Sequence, residues 1–295
     1  MPSAHINGVE LYYEETGSGT PLVLVHEFAG DYRSWEPQVR HFSRQYRVIT
    51  YNARGYPPSQ VPEDPAAYSQ DIAVADLLGV MDHLGLEKAH VVGFSMGGYA
   101  ALIFGMRHPG RCLSLTIVGC GYGSGEDRTK WEADVTQVAE RIAAEGMEQA
   151  AEFYGRGPTR VQFMDSDPRG WEEFFLQLKA SSTTGHALTM LGVQRQRPSV
   201  DALAPQMRQL RVPTLIITGD EDEPCLEPGL LMKRSIPSSA LVVMPRCGHT
   251  VNLEAPAAFN GHVEAFLGLV DAGRWGLRNP ASLSQSAILP PEEDK

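Results

Sequence analysis

Seven short apolar runs, separated from Pro21 onward by stretches of helical periodicity, constrain the fold more than any other feature of the chain. They are VELYYEE (9–15), PLVLVHE (21–27), YRVITYN (46–52), AHVVGFS (89–95), CLSLTIVGC (112–120), PTLIITG (213–219) and ALVVMP (240–245). Between them lie segments such as SQDIAVADLLGVMDHLG (69–85), where Ile72, Ala75, Leu78, Met81 and Leu84 recur at helical spacing. Strands that alternate with helices predict an α/β fold: a mostly parallel twisted sheet of about eight strands with helices on both faces. The Asn7-Gly8 pair before the first run predicts an antiparallel opening hairpin.

The alternation stops after Cys120. From about Tyr122 to Arg197 no strand pattern appears, while WEADVTQVAERIAAEGMEQAAEFYG and WEEFFLQLKASSTTGHALTMLGVQR are periodic at helical spacing. The expectation is an all-helical cap, residues 122–197, inserted after the sixth strand of a core formed by residues 1–121 and 198–272. GCGYGSG (119–125) suits the entry turn and does not match a dinucleotide-binding glycine pattern. Residues 273–295 read as a polar, proline-containing tail, mobile over NPASLSQSAILPPEEDK (279–295) unless AILPP (287–291) docks on a neighbouring surface.

Composition narrows the function classes. The 25 Lys and Arg residues stand against 36 Asp and Glu, a formal charge of −11 with no basic run, which opposes nucleic-acid binding. No stretch reads as a signal sequence or a membrane span, so a cytoplasmic protein with no membrane partner is expected. Four cysteines, Cys112, Cys120, Cys225 and Cys247, lack the paired spacings of a metal or redox centre and read as free thiols. Monomer and homodimer both fit.

In GFSMG (93–97), Gly93, Ser95 and Gly97 sit where a strand runs directly into a helix. Ser95 there reads either as a helix cap or as a nucleophile lifted above the sheet on a strained corner. Its company favours the nucleophile. PTLIITG runs into DEDEP, which places Asp220 and Asp222 at a strand end, and ALVVMP runs into RCGHTVNLEAP, which places His249 before a helix. A nucleophile, an acid and a base in the order Ser, Asp, His on parallel strand ends meet the requirement for acyl transfer.

On LVLVHEFAGD, GFSMGGYAA, RPS, VPTLIITGDEDEP and GHTVNLEAPAAFN, the chain resembles the α/β-hydrolase superfamily, in its serine esterase and lactonase-like branch with a helical cap, over about Ile6 to Leu269. The resemblance implies Ser95 as nucleophile, Asp222 as the acid with Asp220 structural, His249 as base, and the backbone amides of Phe28 and Met96 as oxyanion donors. It also implies a structural His26, a cap position for His186, and no metal or organic cofactor. A serine at the nucleophile position argues against the epoxide hydrolase and haloalkane dehalogenase branches.

Two departures stand out. Glu27 occupies a position where the family's oxyanion loop usually has glycine. One reading turns its side chain away from the pocket toward Arg33 or Arg54; the other turns it inward with a raised pKa as an extra acid or substrate partner. In YNARGYPPS (51–59), Asn52 stands in place of the usual acid and Pro57-Pro58 stiffens the loop, a change to the pocket wall.

The cap carries Tyr122, Trp131, Phe153, Tyr154, Phe163, Trp171, Phe174 and Phe175. Most would pack helix on helix; Trp131, Phe153 and Tyr154 are candidate pocket residues for a small or medium apolar or aromatic group. The expected partner is a small-molecule ester or lactone. Two alternatives stay open: hydrolysis of a carbon-carbon bond in a ring-cleavage diketone, whose relatives generally carry Asn at Phe94 and a longer glycine-rich loop, and a ligand receptor that retains the three residues.

Overall fold

The computed structural model describes residues 2–125 and 127–283, and its centre is one eight-stranded sheet in the order β1-β2-β4-β3-β5-β6-β7-β8. β1 (Ser3–Ile6) and β2 (Val9–Thr16) form the antiparallel hairpin, with Asn7 and Gly8 both at positive φ as its two-residue turn requires. β2 also pairs antiparallel with β4 (Tyr46–Tyr51); every pairing among β3 (Thr20–Val25), β4, β5 (Ala89–Phe94), β6 (Cys112–Val118), β7 (Thr214–Gly219) and β8 (Ser239–Met244) is parallel. Leu22 to Val25 and all of β5 and β7 are buried, as continuous apolar runs in a sheet covered on both faces must be.

Eleven helices accompany the strands among the described residues. α1 (Glu36–Phe42), α2 (Gln70–His83) and α3 (Met96–Arg107) belong to the first half. The helical insertion after β6 contains α4 (Arg128–Tyr154), α5 (Val161–Ser166), α6 (Pro168–Lys179) and α7 (Thr183–Thr189). The chain returns through α8 (Val200–Met207), and α9 (Glu223–Ser235), α10 (Val251–Glu254) and α11 (Pro256–Asp271) complete it. α4 breaks at Gly146, which sits at φ 80° while the Met147 amide donates to Thr183 Oγ1 on α7 at 3.0 Å.

Two apolar layers enclose the sheet. Residues of α2, α3, α8 and α9 cover one face, and Phe42 with Val251, Phe259, Val263 and Phe266 of α1, α10 and α11 cover the other. Gln38 crosses between α1 and the last helices, donating to the Asn252 carbonyl and to Asn260 Oδ1, each at 3.0 Å. Asp271 accepts from Tyr46 at 2.9 Å and meets His90 at 3.0 Å, which pins the end of α11 to the strands.

The segment directly after α11, ahead of the stretch expected to be mobile, is docked on the core. Trp275 stacks edge-on against Phe266 at 4.6 Å and donates to the Ser238 carbonyl at 2.6 Å, and the Arg278 amide donates to the Pro237 carbonyl at 2.9 Å. An aromatic anchor with a satisfied N–H outweighs the polar composition around it. AILPP lies outside the described residues.

Arg54 and Asp76 form a buried two-pronged ion pair at 2.7 Å, and Asn7 Nδ2 donates to the same carboxylate at 3.0 Å. The hairpin turn, the loop after β4 and α2 therefore share one charge. Asp76→Ala leaves Arg54 buried without its partner and is expected to cost about 3–5 kcal/mol of stability, read as a lower urea midpoint. A loss within the scatter of surface substitutions would show that the pair holds nothing.

Candidate active site

Ser95 lies at φ 52°, ψ −108°, a strained conformation at the corner between β5 and α3. Its amide donates to the Val118 carbonyl at 2.8 Å and its carbonyl accepts from Tyr99 at 3.0 Å, so both neighbours of the corner are fixed. A Cβ on Gly93 would meet Gly97 O at 2.1 Å, and one on Gly97 would meet Val25 O at 2.2 Å. Only glycine fits either side. The Ser95 hydroxyl caps no helix amide, so the serine is not a side-chain helix cap, and the residue stands in the wall of a cavity instead.

His249 shares that wall. Its Nδ1 meets Asp222 Oδ2 at 2.8 Å, with both residues buried, and the ring is held between Phe94 at 5.0 Å and Tyr122 at 5.2 Å. With Nδ1 turned to the carboxylate, Nε2 is the ring nitrogen left for proton transfer. The loop around His249 is tied by Glu254, which accepts from the Gly248 amide at 2.6 Å and the Thr250 amide at 2.8 Å. The neighbouring acids are engaged elsewhere: Asp220 accepts from the Cys247 amide at 3.2 Å, and Glu221 accepts from Gln162 at 2.7 Å.

Asp222 Oδ1 accepts from the Tyr122 hydroxyl at 3.1 Å. Burial pushes its pKa up, but the His249 charge and hydrogen bonds from His249, Cys225 and Tyr122 outweigh burial and hold it below the ordinary 3.8. Ligand atoms of Asp222, Cys225 and His249 all lie within 4.8 Å of one another. Burial and the Asp222 charge push the Cys225 thiol well above its usual range, so it serves as a protonated donor to the carboxylate.

The loop after β3 carries the other half of the site. The Ala53 amide donates to His26 Nε2 at 3.0 Å, which leaves the proton on Nδ1 to face the Glu27 carbonyl at 2.6 Å. Burial drives the His26 pKa down, so the ring is a neutral brace. Tyr56 donates to the Phe28 carbonyl at 2.9 Å. Among the described residues, the amides of Phe28 and of Met96, the first residue of α3, donate to no protein group. The loop after β3 and the start of α3 thus each carry one unclaimed N–H group.

Glu27 is buried and forms an ion pair with Arg160, from the short segment between α4 and α5. The expected partners are otherwise occupied: Arg33 binds Asp31 and Arg54 binds Asp76. Proximity in sequence suggested them, whereas the partner lies 133 positions away. Glu27 is not in the cavity wall; its side chain ties the loop to the cap. Tyr154 reinforces that tie, packing on Phe28 at 5.4 Å, as does His186 at 5.1 Å. His186 is buried in α7, with its pKa pushed down to about 4 by burial.

Asn52 fixes the altered loop: it accepts from the Tyr32 amide at 2.8 Å and donates to the Pro57 carbonyl at 2.8 Å. The cavity above Ser95 has a volume of about 240 Å³. Trp131, Phe153, Tyr154 and Tyr122 stand in its wall, while Phe163, Trp171, Phe174 and Phe175 pack inside the cap. The eight cap aromatics divide evenly, so fewer than expected serve packing alone. A π-helical turn after α7, Met190–Gln194, brings both its end residues to the cavity.

Residues 20–256 match the alpha/beta hydrolase fold family, and the chain belongs to it. It is 31% identical over 274 residues, 90% of this chain and 95% of the relative, to the 2-hydroxy-6-oxo-2,4-heptadienoate hydrolase of Pseudomonas putida. The enol-lactonase of Burkholderia xenovorans superposes with a TM-score of 0.80 at 25% identity, over 90% of this chain and 100% of that one. A thermophilic esterase from Thermogutta terrifontis gives 0.79 at 28% identity, over 91% and 98%. No helix among the described residues is long and apolar enough to cross a membrane.

Several contacts here escape sequence reasoning: Cys225 and Tyr122 on Asp222, Glu254 beside His249, Arg160 on Glu27. Arg160→Met strands the buried Glu27 carboxylate and is expected to destabilise by about 3–5 kcal/mol, whereas Glu27→Gln with Arg160→Met should recover most of that. Additive losses in this denaturation cycle would mean that the two side chains do not interact.

Because the Asp222 pKa is lowered on folding, its ionised form stabilises the fold above pH 3.8 and loses that contribution as pH falls through the lower folded value. The stability gap between the parent protein and Asp222→Asn should therefore narrow below pH 3.8. A gap that holds constant down to pH 2.5 or so would rule out the charge pairing with His249.

Proposed function

We propose that this protein is a serine hydrolase that cleaves a carboxylic ester or lactone of a small to medium substrate through an acyl enzyme. The observation that carries the reading is Ser95, held in a strained corner with its hydroxyl uncommitted to any helix cap, in the same cavity wall as a histidine whose far nitrogen is held by Asp222. Ser95 Oγ attacks the carbonyl carbon while His249 Nε2 takes its proton. The amides of Phe28 and Met96 receive the oxyanion, the carbon-oxygen bond breaks, and the imidazolium returns its proton to the leaving alkoxide. Water then repeats the sequence, splitting the acyl enzyme to acid and free serine.

Asp222 holds the imidazole tautomer and stabilises its cation, and His249, Tyr122 and Cys225 keep that carboxylate ionised against the opposing effect of burial. The cap aromatics supply an apolar wall that limits water at the acyl enzyme. A second reading, hydrolysis of a carbon-carbon bond in a ring-cleavage diketone, draws on the similarity to the Pseudomonas putida enzyme and would use the same residues. Against it, Phe94 fills its position with an apolar ring against Trp35 and His249.

The deciding experiment is p-nitrophenyl acetate to octanoate hydrolysis by the parent protein and Ser95→Ala, with a rapid-mixing search for a burst. Turnover with a burst matching the enzyme concentration, reduced at least ~10³-fold in Ser95→Ala, is expected. Equal rates in the two proteins would remove Ser95 as nucleophile, and a single burst without turnover would favour a receptor.

A further inference from the structure

Three cationic side chains are buried among the described residues: Arg54, Arg160 and Arg197. Two of them are bound by buried carboxylates, Arg54 by Asp76 and Arg160 by Glu27. Arg197 has no such partner. Its Nη2 donates to the Tyr122 carbonyl at 3.0 Å, but its Nε and Nη1 lack any hydrogen-bond partner. Its guanidinium lies over the Tyr99 ring at 4.0 Å, with the Trp131 ring at 5.6 Å.

A guanidinium stays charged at every physiological pH, and burying one is unfavourable unless an anion or hydrogen bonds replace its water. Aromatic faces hold the cation in place without accepting its in-plane N–H groups as an anion would. Among the described residues, no carboxylate supplies that partner to Arg197. Arg197 stands in the wall of the cavity that holds Ser95 and His249.

Two more polar atoms of that wall are buried without partners, the Trp131 Nε1 donor and the Gln194 Oε1 acceptor. The acid of the wall, Asp134, is half exposed and turned to Lys130. The chain as a whole carries a charge of −11, so an anion would be drawn to this cavity by the buried cation against the general field.

We propose that Arg197, with Trp131 Nε1 beside it, is the binding site for a carboxylate on the substrate, distinct from the scissile carbonyl, and that the natural substrate is an anionic ester or lactone. A planar guanidinium matches a carboxylate in both charge and geometry. The proposal deepens the hydrolase reading and rests on it for the reaction, though not for the binding.

The test compares matched pairs of esters that differ in one charge: p-nitrophenyl hydrogen glutarate and adipate against their methyl-capped diesters, and 3-acetoxybenzoate against methyl 3-acetoxybenzoate. In at least one pair the parent protein should favour the anion at least tenfold in kcat/KM, and Arg197→Gln should lower that ratio at least tenfold. No preference in any pair, or a preference that survives in Arg197→Gln, would overturn the site.

A second measurement needs neither turnover nor a substitution at Arg197. Glutarate and adipate should raise the Tm of Ser95→Ala while dimethyl glutarate and dimethyl adipate do not, and equal shifts from acids and diesters would overturn the proposal. If no ester is turned over and Ser95→Ala matches the parent, the hydrolase reading fails by itself. The Tm comparison then decides the anion site alone.

Discussion

The absence of two Cβ atoms governs this molecule. At Gly93 and Gly97 the backbone of the β5–α3 corner passes so close to itself and to Val25 that any side chain would force the sheet and helix apart. That closeness holds Ser95 in a conformation that costs about 1–3 kcal/mol and that only the surrounding structure can enforce. β3 supplies one contact, β6 anchors the serine amide through Val118, and α3 begins at once and leaves the Met96 amide unclaimed. The strain is local, and the packed sheet that opposes it extends across the protein.

The helical insertion is more than a cover. Phe28 has its carbonyl held by Tyr56 from the core and its ring held by Tyr154 and His186 from the insertion. Glu27, one residue earlier, is bound by Arg160. Core and insertion thus position one peptide group jointly. A charged residue in a loop that commonly has glycine is accommodated because the insertion brings an opposite charge to it.

The strands and helices were legible in the sequence because each carries its own periodicity, which needs only neighbouring residues to be read. The order of Ser95, Asp222 and His249 was legible for a related reason: Ser95 follows directly on β5, and Asp222 and His249 lie in the short loops that leave β7 and β8, so the place of each on the sheet comes from its place in the chain. The partners of those residues were not. Tyr122 is 100 positions from Asp222 and Arg160 is 133 from Glu27, and no local pattern encodes either meeting. The two cations expected to meet Glu27, Arg33 and Arg54, already have acids of their own. The docking of Trp275 escaped for the opposite reason, since one aromatic anchor is invisible in an otherwise polar composition.

The apolar layer beneath α11 is completed from both ends of the chain. Phe42 and Val48 come from the first fifty residues, while Phe259, Val263 and Phe266 come from the last helix, and Gln38 reaches Asn260 across 222 positions. During synthesis, then, the strands at the centre of the sheet are made long before the helix that covers this face of them. Until α11 leaves the ribosome, the nascent sheet has this hydrophobic face covered only in part, by α1, and the rest is open to chaperones and to other unfinished chains.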